Sequence, residues 1–359
     1  MDFFPELLKF QNGNYVKSTD DFKLRRAEML DILAKNEYGY LPPVTGKTTF
    51  EITETDEKNC AGHGPLQKMN VFINTPKGRF TLPAVFISPA KKEKFPVFMF
   101  INFNKSCFNR YFPMEEIIDR GCGVCYVHYE DITTDDGDMQ NGLAGMFDRP
   151  EDGTGYGKIS IWAFAMSRVL DCVLELPGVD KENVAVIGHS RLGKTALWCG
   201  ANDERIKYVI SNCSGCSGAA YERIKHGKSE TFRAIYNVFP YWFCENFEKW
   251  VDKPENCPFD QHFLLACCAP RYVFIGSQDE DEWADYYSEQ LCCKGASPAF
   301  ELFGVTGYNG KTEPAETGYF AKGGHISYHL GGGRHYLGRY NWNRYLDAIE
   351  TVIPLSSQK

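Results

Sequence analysis

The chain has 359 residues, of which 43% are hydrophobic and 24% charged, and this composition is typical of a globular protein. The net charge of −8 at pH 7 argues against a nucleic-acid-binding protein, because binding to phosphates requires a basic surface. No apolar run approaches the roughly 18 residues that a membrane span requires. We therefore expect neither nucleic acid nor membrane as a partner, and the sequence does not specify an oligomeric state.

The fourteen cysteines are the most unusual feature of the composition. The first residues, MDFFPELLKFQNGNY, lack the basic start and the apolar core of a signal peptide, so we expect a cytoplasmic protein with reduced thiols. Cys213 and Cys216 have C-x-x-C spacing, whereas Cys267 with Cys268 and Cys292 with Cys293 are adjacent doublets. We therefore expect no structural metal, because a zinc site needs four converging ligands.

The order of predicted elements indicates an α/β protein with a mostly parallel sheet. An amphipathic helix begins near residue 21 and ends near Gly39. Four β-rich runs follow, at 48–56, 68–76, 79–89 and 95–103, and predict antiparallel first strands. From about residue 113, helical and strand-like segments alternate, which predicts a parallel sheet covered by helices on both faces.

We interpret residues 1–359 as one domain in which about residues 1–95 form an N-terminal extension, because no repeat or linker-like segment interrupts the chain. Between residues 131 and 157 lies an acidic, glycine-rich loop. The sequence leaves two interpretations of this loop open, a loop at the substrate site and a solvated surface segment.

One stretch of the parallel part, VAVIGHSRLGKTALW at 184–198, has the form of a strand, a tight turn and a helix. Ser190 occupies the turn, where helix N–H groups can stabilise a developing negative charge on a substrate carbonyl. The match to the G-x-S-x-G elbow is incomplete, because Gly188 is present but the second glycine is shifted by one residue to Gly193. Ser190 is thus a candidate nucleophile, and the alternative is a structural serine in a tight turn.

A serine nucleophile needs a base, and the base needs an acid that orients it. In this fold class the chain order is serine, acid, histidine. The acid is expected after the strand-like run RYVFIGS, which is followed by four acidic residues at 279–282. Near the C-terminus, His325, His329 and His335 precede the last predicted helix in a loop. His335 is the best placed of them, because it follows three glycines.

These motifs closely resemble the G-C-S-R-x-G-K signature of the glucuronoyl esterases, carbohydrate esterase family fifteen. The stretches NCSGCSGAAYER, PFDQHFLLACCAPRYVFIGS, DEDEWAD and GGGRHYLGRYNW also resemble bacterial members of that family, in the same order. The resemblance implies an α/β-hydrolase, a three-layer sandwich with a mostly parallel central sheet and antiparallel N-terminal strands.

The resemblance also implies the roles of several site residues. Ser190 is the nucleophile and His335 the base, and Arg191 stabilises the oxyanion with its backbone N–H or its guanidinium. Lys194 contacts the sugar, Glu230 bonds sugar hydroxyls, and Trp283 packs on the uronate ring. Without the resemblance, these last three would be read as a surface lysine, a solvated glutamate and a packing tryptophan.

The triad acid is the point at which the chain departs from the family. Many members carry a Glu at the position of Cys213, and a thiol cannot stabilise an imidazolium as a carboxylate does. Some bacterial members use an Asp two residues before the tryptophan, which corresponds to Asp281. We therefore expect Asp281 to complete the triad, with Asp279 as the fallback.

The predicted function is hydrolysis of carbohydrate esters, foremost glucuronoyl (4-O-methyl-glucuronate) esters, by a serine esterase that requires no cofactor. Two alternatives stay open. One is an acetyl (xylan) esterase that acts on acetylated oligosaccharides, and the other is a catalytically impaired, carbohydrate-binding homologue. The expected partner is a small carbohydrate ester or oligosaccharide inside the cell.

Overall fold

The computed structural model describes residues 4–109 and 111–355. Within these residues, ten strands form one sheet in the order β1-β2-β3-β5-β4-β6-β7-β8-β10-β9. The strands are β1 (Thr49–Asp56), β2 (Leu66–Thr75), β3 (Gly78–Ile87), β4 (Phe95–Asn102), β5 (Gly123–His128), β6 (Val179–His189), β7 (Tyr208–Asn212), β8 (Tyr272–Gln278), β9 (Phe320–Ala321) and β10 (Ile326–Gly331).

The sheet combines antiparallel edges with a parallel centre, and the antiparallel first strands and the parallel centre are as the sequence predicts. Strands β1, β2, β3 and β5 pair antiparallel, β5 to β10 through β4, β6, β7 and β8 pair parallel, and β9 is antiparallel to β10. All eight residues of β4 are buried, which is typical of a strand covered on both faces. The four strands predicted before residue 103 all belong to this one sheet.

Helices cover both faces of the sheet. They are α1 (Thr19–Leu33), α2 (Met114–Asp119), α3 (Lys158–Val173), α4 (Arg191–Asn202), α5 (Phe232–Val238), α6 (His262–Ala266), α7 (Tyr286–Glu301) and α8 (Arg339–Glu350). One buried apolar cluster contains residues of α3, α4, α6 and α7, and a second cluster contains residues of α2 and α8. The result is the three-layer α/β-hydrolase sandwich that the resemblance implies.

The first helix has an unusual end. After α1, a single π-helical turn over Ala34–Tyr38 leads to Gly39, whose φ of 80° ends the helix at the residue that the sequence predicts. The π-helical turn carries Glu37 into the interior, where its side chain is completely buried. Within the described ranges, no helix combines the length and the apolar character that crossing a bilayer requires.

The C-terminal part corrects one expectation. His329 does not lie in a loop but within β10, where all six residues are buried. Its Nε2 lies 3.1 Å from the Nδ2 of Asn341, and burial lowers the pKa of His329 to about 3. A neutral imidazole that shares a hydrogen bond can occupy a buried strand. The strand was not predicted because its polar residues are more typical of a loop.

Candidate active site

The turn between β6 and α4 holds Ser190 in a strained conformation. Its φ of 58° and ψ of −128° place a non-glycine residue in a region that costs about 1–3 kcal/mol. The Ser190 N–H donates to the carbonyl of Asn212 at 2.9 Å, and the Ser190 carbonyl accepts from Gly193 at 2.8 Å. The surrounding hydrogen bonds thus fix the serine at the carboxyl end of the central strand.

The two glycines near Ser190 are required by close packing. A Cβ on Gly188 would lie 2.0 Å from the carbonyl oxygen of Leu192, which closes the turn. A Cβ on Gly193 would lie 2.8 Å from the Oγ of Ser211, where α4 packs on β7. The shift of the second glycine relative to G-x-S-x-G therefore preserves a tight turn, because Gly193 is the residue that meets the neighbouring strand.

His335 and Asp281 form a hydrogen-bonded pair next to this turn. The Nδ1 of His335 lies 2.6 Å from the Oδ2 of Asp281. Asp281 follows β8 and is 5% exposed, while His335 lies on the loop between β10 and α8 and is half-exposed. A buried carboxylate on one ring nitrogen leaves the other nitrogen available to act as a base.

Asp279, the fallback acid, has a different task. Its Oδ1 accepts from the Gly333 N–H at 2.7 Å, and its Oδ2 accepts from the Thr317 hydroxyl. The hydrogen bond from Thr317 and that from Gly333 lower the pKa of Asp279. Asp279 therefore anchors the glycine-rich segment before His335, and Asp281 is the acid in contact with the imidazole.

A cavity of about 350 Å³ is lined by every site residue that the sequence analysis selected, apart from the fallback Asp279. Its lining includes the candidate nucleophile and its expected partners together with the expected sugar contacts, namely Ser190, His335, Asp281, Arg191, Lys194, Glu230 and Trp283. Lys194 and Glu230 are buried, whereas Trp283 is 52% exposed. Side chains from positions 190 to 335 thus meet at one cavity.

Arg191 is held by a carboxylate and by aromatic rings. Its guanidinium forms an ion pair with Asp135, which also accepts from the Trp242 indole N–H at 2.7 Å. The guanidinium carbon lies 4.6 Å from the ring centre of Trp242 and 5.2 Å from that of Phe239. Since Asp135 belongs to the 131–157 loop, that part of the loop supports the site.

Lys194 and Glu230 form a polar pair in the cavity wall. The Lys194 Nζ donates to the Ser214 carbonyl at 2.5 Å and lies 3.8 Å from the Glu230 Oε2. The Glu230 N–H donates to the carbonyl of Trp283 at 2.9 Å, which ties this segment to the loop that carries Asp281. The wall therefore offers a cation, an anion and an aromatic face side by side.

Cys213 lies where many family members carry an acid. Burial, with the nearby carboxylates of Asp281 and Glu289, raises the pKa of its thiol well above the usual range, so the thiol is neutral. Among the described residues, Cys213, Asp281 and His335 form one group with metal-ligand atoms within 4.8 Å of one another. A protonated thiol is a poor metal ligand, and the short carboxylate–imidazole contact accounts for the other two.

The sequence analysis missed a group of side chains that fixes the loop carrying His335. The Asn212 amide donates to the Tyr336 carbonyl at 2.9 Å, and its oxygen accepts from the Tyr345 hydroxyl at 2.9 Å. The His189 ring packs on that of His335 with 4.4 Å between the ring centres. Burial, and next the charge of His335, lowers the pKa of His189 well below its usual range, so His189 stays neutral beside His335.

A second missed residue is Glu289 of α7, which lies behind the cavity. Its carboxylate accepts from the Ser277 hydroxyl at 2.5 Å and from the Gly215 N–H at 2.9 Å. Burial raises the pKa of Glu289 to about 7. The position of His189 directly before the serine was a signal available in the sequence, whereas nothing local marks Glu289.

Comparison with known proteins places this chain and its fold in a family. A family model for fungal glucuronyl esterase matches residues 71–304. Carbohydrate esterase MZ0003, from an unknown prokaryotic organism, is 32% identical over 96% of this chain and 88% of its own length. The 4-O-methyl-glucuronoyl methylesterase of Podospora anserina is 27% identical, and the match spans 82% of this chain and 59% of that protein.

Solved structures that are similar to this chain include glucuronoyl and CE15 esterases. The glucuronoyl esterase from Solibacter usitatus superposes with a TM-score of 0.89 at 29% identity, over 97% of each chain. A promiscuous CE15 esterase from a marine bacterial metagenome superposes with a TM-score of 0.87 at 30% identity, over 97% of this chain and 96% of the other. This chain therefore belongs to the glucuronyl esterase family of carboxylic ester hydrolases, carbohydrate esterase family 15.

Proposed function

We propose that this chain hydrolyses glucuronoyl esters through an acyl-enzyme intermediate on Ser190. The observation that carries the proposal is the 2.6 Å contact between His335 and the buried Asp281, in the wall of the cavity that Ser190 also lines. Membership of the glucuronyl esterase family supports the ester class.

In the first step, the free ring nitrogen of His335 takes the hydroxyl proton of Ser190 as the oxygen attacks the ester carbonyl. Asp281 keeps the imidazole in the required tautomer and stabilises the imidazolium that forms. His335 then gives this proton to the alcohol oxygen as the carbon–oxygen bond breaks. In the second step, His335 activates a water molecule, which releases the uronic acid and regenerates Ser190.

The oxyanion is stabilised by the N-terminus of α4. The N–H groups of Arg191 and Leu192, the first two residues of this twelve-residue helix, have no acceptor within the helix and follow Ser190 directly. Arg191 adds a guanidinium that Asp135 and two aromatic rings hold in place, so it needs little reorganisation during the reaction.

The sugar is bound by Lys194, Glu230 and Trp283, which line the same cavity as His335. The carboxyl group of the substrate is esterified and uncharged, so Lys194 and Glu230 act as donor and acceptor for sugar hydroxyls. The exposed face of Trp283 offers a surface on which a sugar ring can pack. This arrangement favours a polyhydroxylated acyl group over a simple acetyl group.

The test compares two substrates and two serine variants. The wild-type protein is assayed on the methyl ester of glucuronic acid and on acetylated xylo-oligosaccharides, beside Ser190→Ala and Ser211→Ala. Ser211 is a matched control because it is a buried serine of the next strand that does not line the cavity. We expect ester hydrolysis by wild type and Ser211→Ala, and a loss of at least about 10³-fold in Ser190→Ala.

Two other results of this assay would contradict the proposal and support one of the alternatives. Faster hydrolysis of the acetylated oligosaccharides would identify an acetyl esterase built on the same triad. Sugar binding without hydrolysis of either ester, equal in wild type and Ser190→Ala, would identify a carbohydrate-binding homologue.

We also propose that the enzyme acts inside the cell on imported, already shortened esters. All fourteen cysteines are free, and thirteen of them are buried, which suits a reducing compartment. Cell fractionation with an activity assay tests this, and native enzyme recovered from the culture medium would overturn it.

A further inference from the structure

Glu289 is a completely buried carboxylate that the proposed reaction does not use. It lies in the first turn of α7, a helix that begins shortly after Trp283 and Ala284 of the cavity lining. Glu289 itself is not among the described residues that line the cavity. A buried carboxylate is stable only where hydrogen-bond donors surround it, so the donors around Glu289 show which parts of the structure it joins.

The two oxygens of Glu289 bind the ends of two neighbouring strands. Its Oε1 accepts from the Gly215 N–H at 2.9 Å and lies 3.3 Å from the Ser214 hydroxyl. Its Oε2 accepts from the hydroxyl of Ser277, a residue of β8, at 2.5 Å. Ser214 and Gly215 follow β7 and line the cavity. One oxygen therefore holds the cavity wall, and the other anchors the carboxylate to the sheet.

The segment after β7 has a backbone that requires such support. Cys213, Gly215 and Ser217 have φ angles of 48°, 57° and 53°. Two of these residues are not glycine, and this conformation is strained for a residue with a side chain, so it persists only where neighbouring groups fix it. The Cys213 N–H donates to the Gly276 carbonyl at 2.7 Å, and Glu289 holds the segment two residues later.

One peptide unit connects Glu289 with Lys194. The Gly215 N–H, which Glu289 accepts, and the Ser214 carbonyl, which accepts from the Lys194 Nζ at 2.5 Å, belong to the same planar trans peptide. The two groups point in opposite directions, so the peptide lies between the carboxylate and the ammonium. A donor bound at its N–H also polarises the carbonyl and strengthens it as an acceptor, because hydrogen bonds in a chain reinforce one another.

The Ser214 carbonyl decides where the Lys194 ammonium lies. Lys194 is buried, and within residues 4–109 and 111–355 this carbonyl is the one hydrogen-bond acceptor of its Nζ. The nearest carboxylate oxygen, of Glu230, lies 3.8 Å away. A tilt of the peptide would therefore displace the ammonium from the place where it meets the sugar.

We propose that Glu289 is a positioning residue for sugar binding, because it fixes the peptide between Ser214 and Gly215 and, through the carbonyl of that peptide, the ammonium of Lys194. The inference rests on the proposed function, which assigns Lys194 to the sugar. Glu289 acts through Lys194 and not on the reacting atoms. Its replacement should therefore raise KM for the glucuronoyl ester and change kcat much less.

The test measures kcat and KM on the methyl ester of glucuronic acid. Glu289→Asp shortens the side chain by one methylene, which withdraws the carboxylate from the Gly215 N–H. Glu289→Gln keeps the length and an oxygen that accepts from this N–H. Gln290→Asn is the matched control, because Gln290 is the next residue of α7, is also completely buried, and bonds the backbone of residues 311–315 instead of the cavity wall.

We expect Glu289→Asp to raise KM about fivefold or more, and Glu289→Gln and Gln290→Asn to keep KM within about twofold of wild type. In a Lys194→Ala background, Glu289→Asp should change KM by less than about twofold, because the group that Glu289 positions is gone. Thermal unfolding shows that each variant is folded.

Three results would overturn the inference and leave the proposed function standing. One is an unchanged KM in Glu289→Asp, and another is a rise in KM that Gln290→Asn matches, which would identify a general loosening of α7. The third is an equal rise in KM on replacement of Glu289 with and without Lys194, which would show that Glu289 does not act through the lysine. Failure of the folded wild type to hydrolyse the ester would instead overturn the proposed function, and this inference with it.

Discussion

Replacement of Asp281 by Asn should lower kcat on a glucuronoyl ester by about 10³–10⁴-fold. The Asp281 Oδ2 lies 2.6 Å from the Nδ1 of His335, and the carboxylate is 5% exposed, so water cannot take over its role. An amide at this position cannot stabilise the imidazolium, and its NH₂ group favours the wrong tautomer. The loss corresponds to about 4–5.5 kcal/mol of barrier.

The control for this prediction is Asp279→Asn, two residues earlier on the same loop. Because Asp279 bonds Thr317 and Gly333 rather than the imidazole, its replacement should cost less than about tenfold in kcat. Steady-state kinetics on the methyl ester, with thermal unfolding to show that both variants are folded, measures the difference. Equal losses in the two variants would refute the assignment of the acid.

A rescue experiment extends the same reasoning. The thiol of Cys213 lies within 4.8 Å of the carboxylate of Asp281 and of the imidazole of His335, at the position where many family members carry a Glu. Cys213→Glu in the Asp281→Asn background should therefore recover at least about tenfold in kcat by supplying a carboxylate from the neighbouring strand. A double variant no faster than Asp281→Asn would show that the glutamate cannot reach the ring.

Three further outcomes follow from the structure. Lys194→Ala should raise KM for the glucuronoyl ester about tenfold with a smaller effect on kcat, and a fall in kcat at constant KM would contradict a binding role. Asp135→Asn should lower kcat/KM about tenfold, because the ion pair that holds the Arg191 guanidinium is lost, and an unchanged value would show that the aromatic rings alone suffice. Burial raises the pKa of Glu37 from its ordinary 4.5 to about 8, so between these pH values the unfolded chain holds fewer protons and wild-type stability falls as pH rises. In Glu37→Gln, the free energy of unfolding should decline less steeply with pH than in wild type, by about 1.4 kcal/mol per pH unit. Urea unfolding of both proteins at pH 5.5, 6.5 and 7.5 measures this difference. The same pH dependence in both proteins would contradict a protonated Glu37.

The sequence predicted most of the fold because hydrophobic patterning is local. The buried strand β4 and the long apolar helix α3 are visible as continuous runs, and their alternation with turns specifies a parallel sheet. Strand β10 was missed because its histidine and its serine are typical of loop residues. Their burial depends on partners such as Asn341, which lies on another element.

Some site residues could likewise be predicted from local sequence, and others could not. Ser190 and Arg191 are marked by a local motif, and His335 by its place before the last helix. The choice between Asp281 and Asp279, by contrast, depends on which carboxylate faces the imidazole and which faces Thr317, and two residues of separation along a loop do not decide that.

The sequence by itself determined the layered α/β architecture, the position of the serine at a tight strand-to-helix turn, and the family, because each is written in short segments whose chemistry is local. Only the tertiary structure decided that Asp281 is the acid in contact with His335 and that Asp135 holds Arg191. These features arise from residues that are far apart in the chain and that the parallel strands bring to one edge of the sheet. Distances between such residues are set by the packing of the strands and cannot be read from the amino-acid sequence.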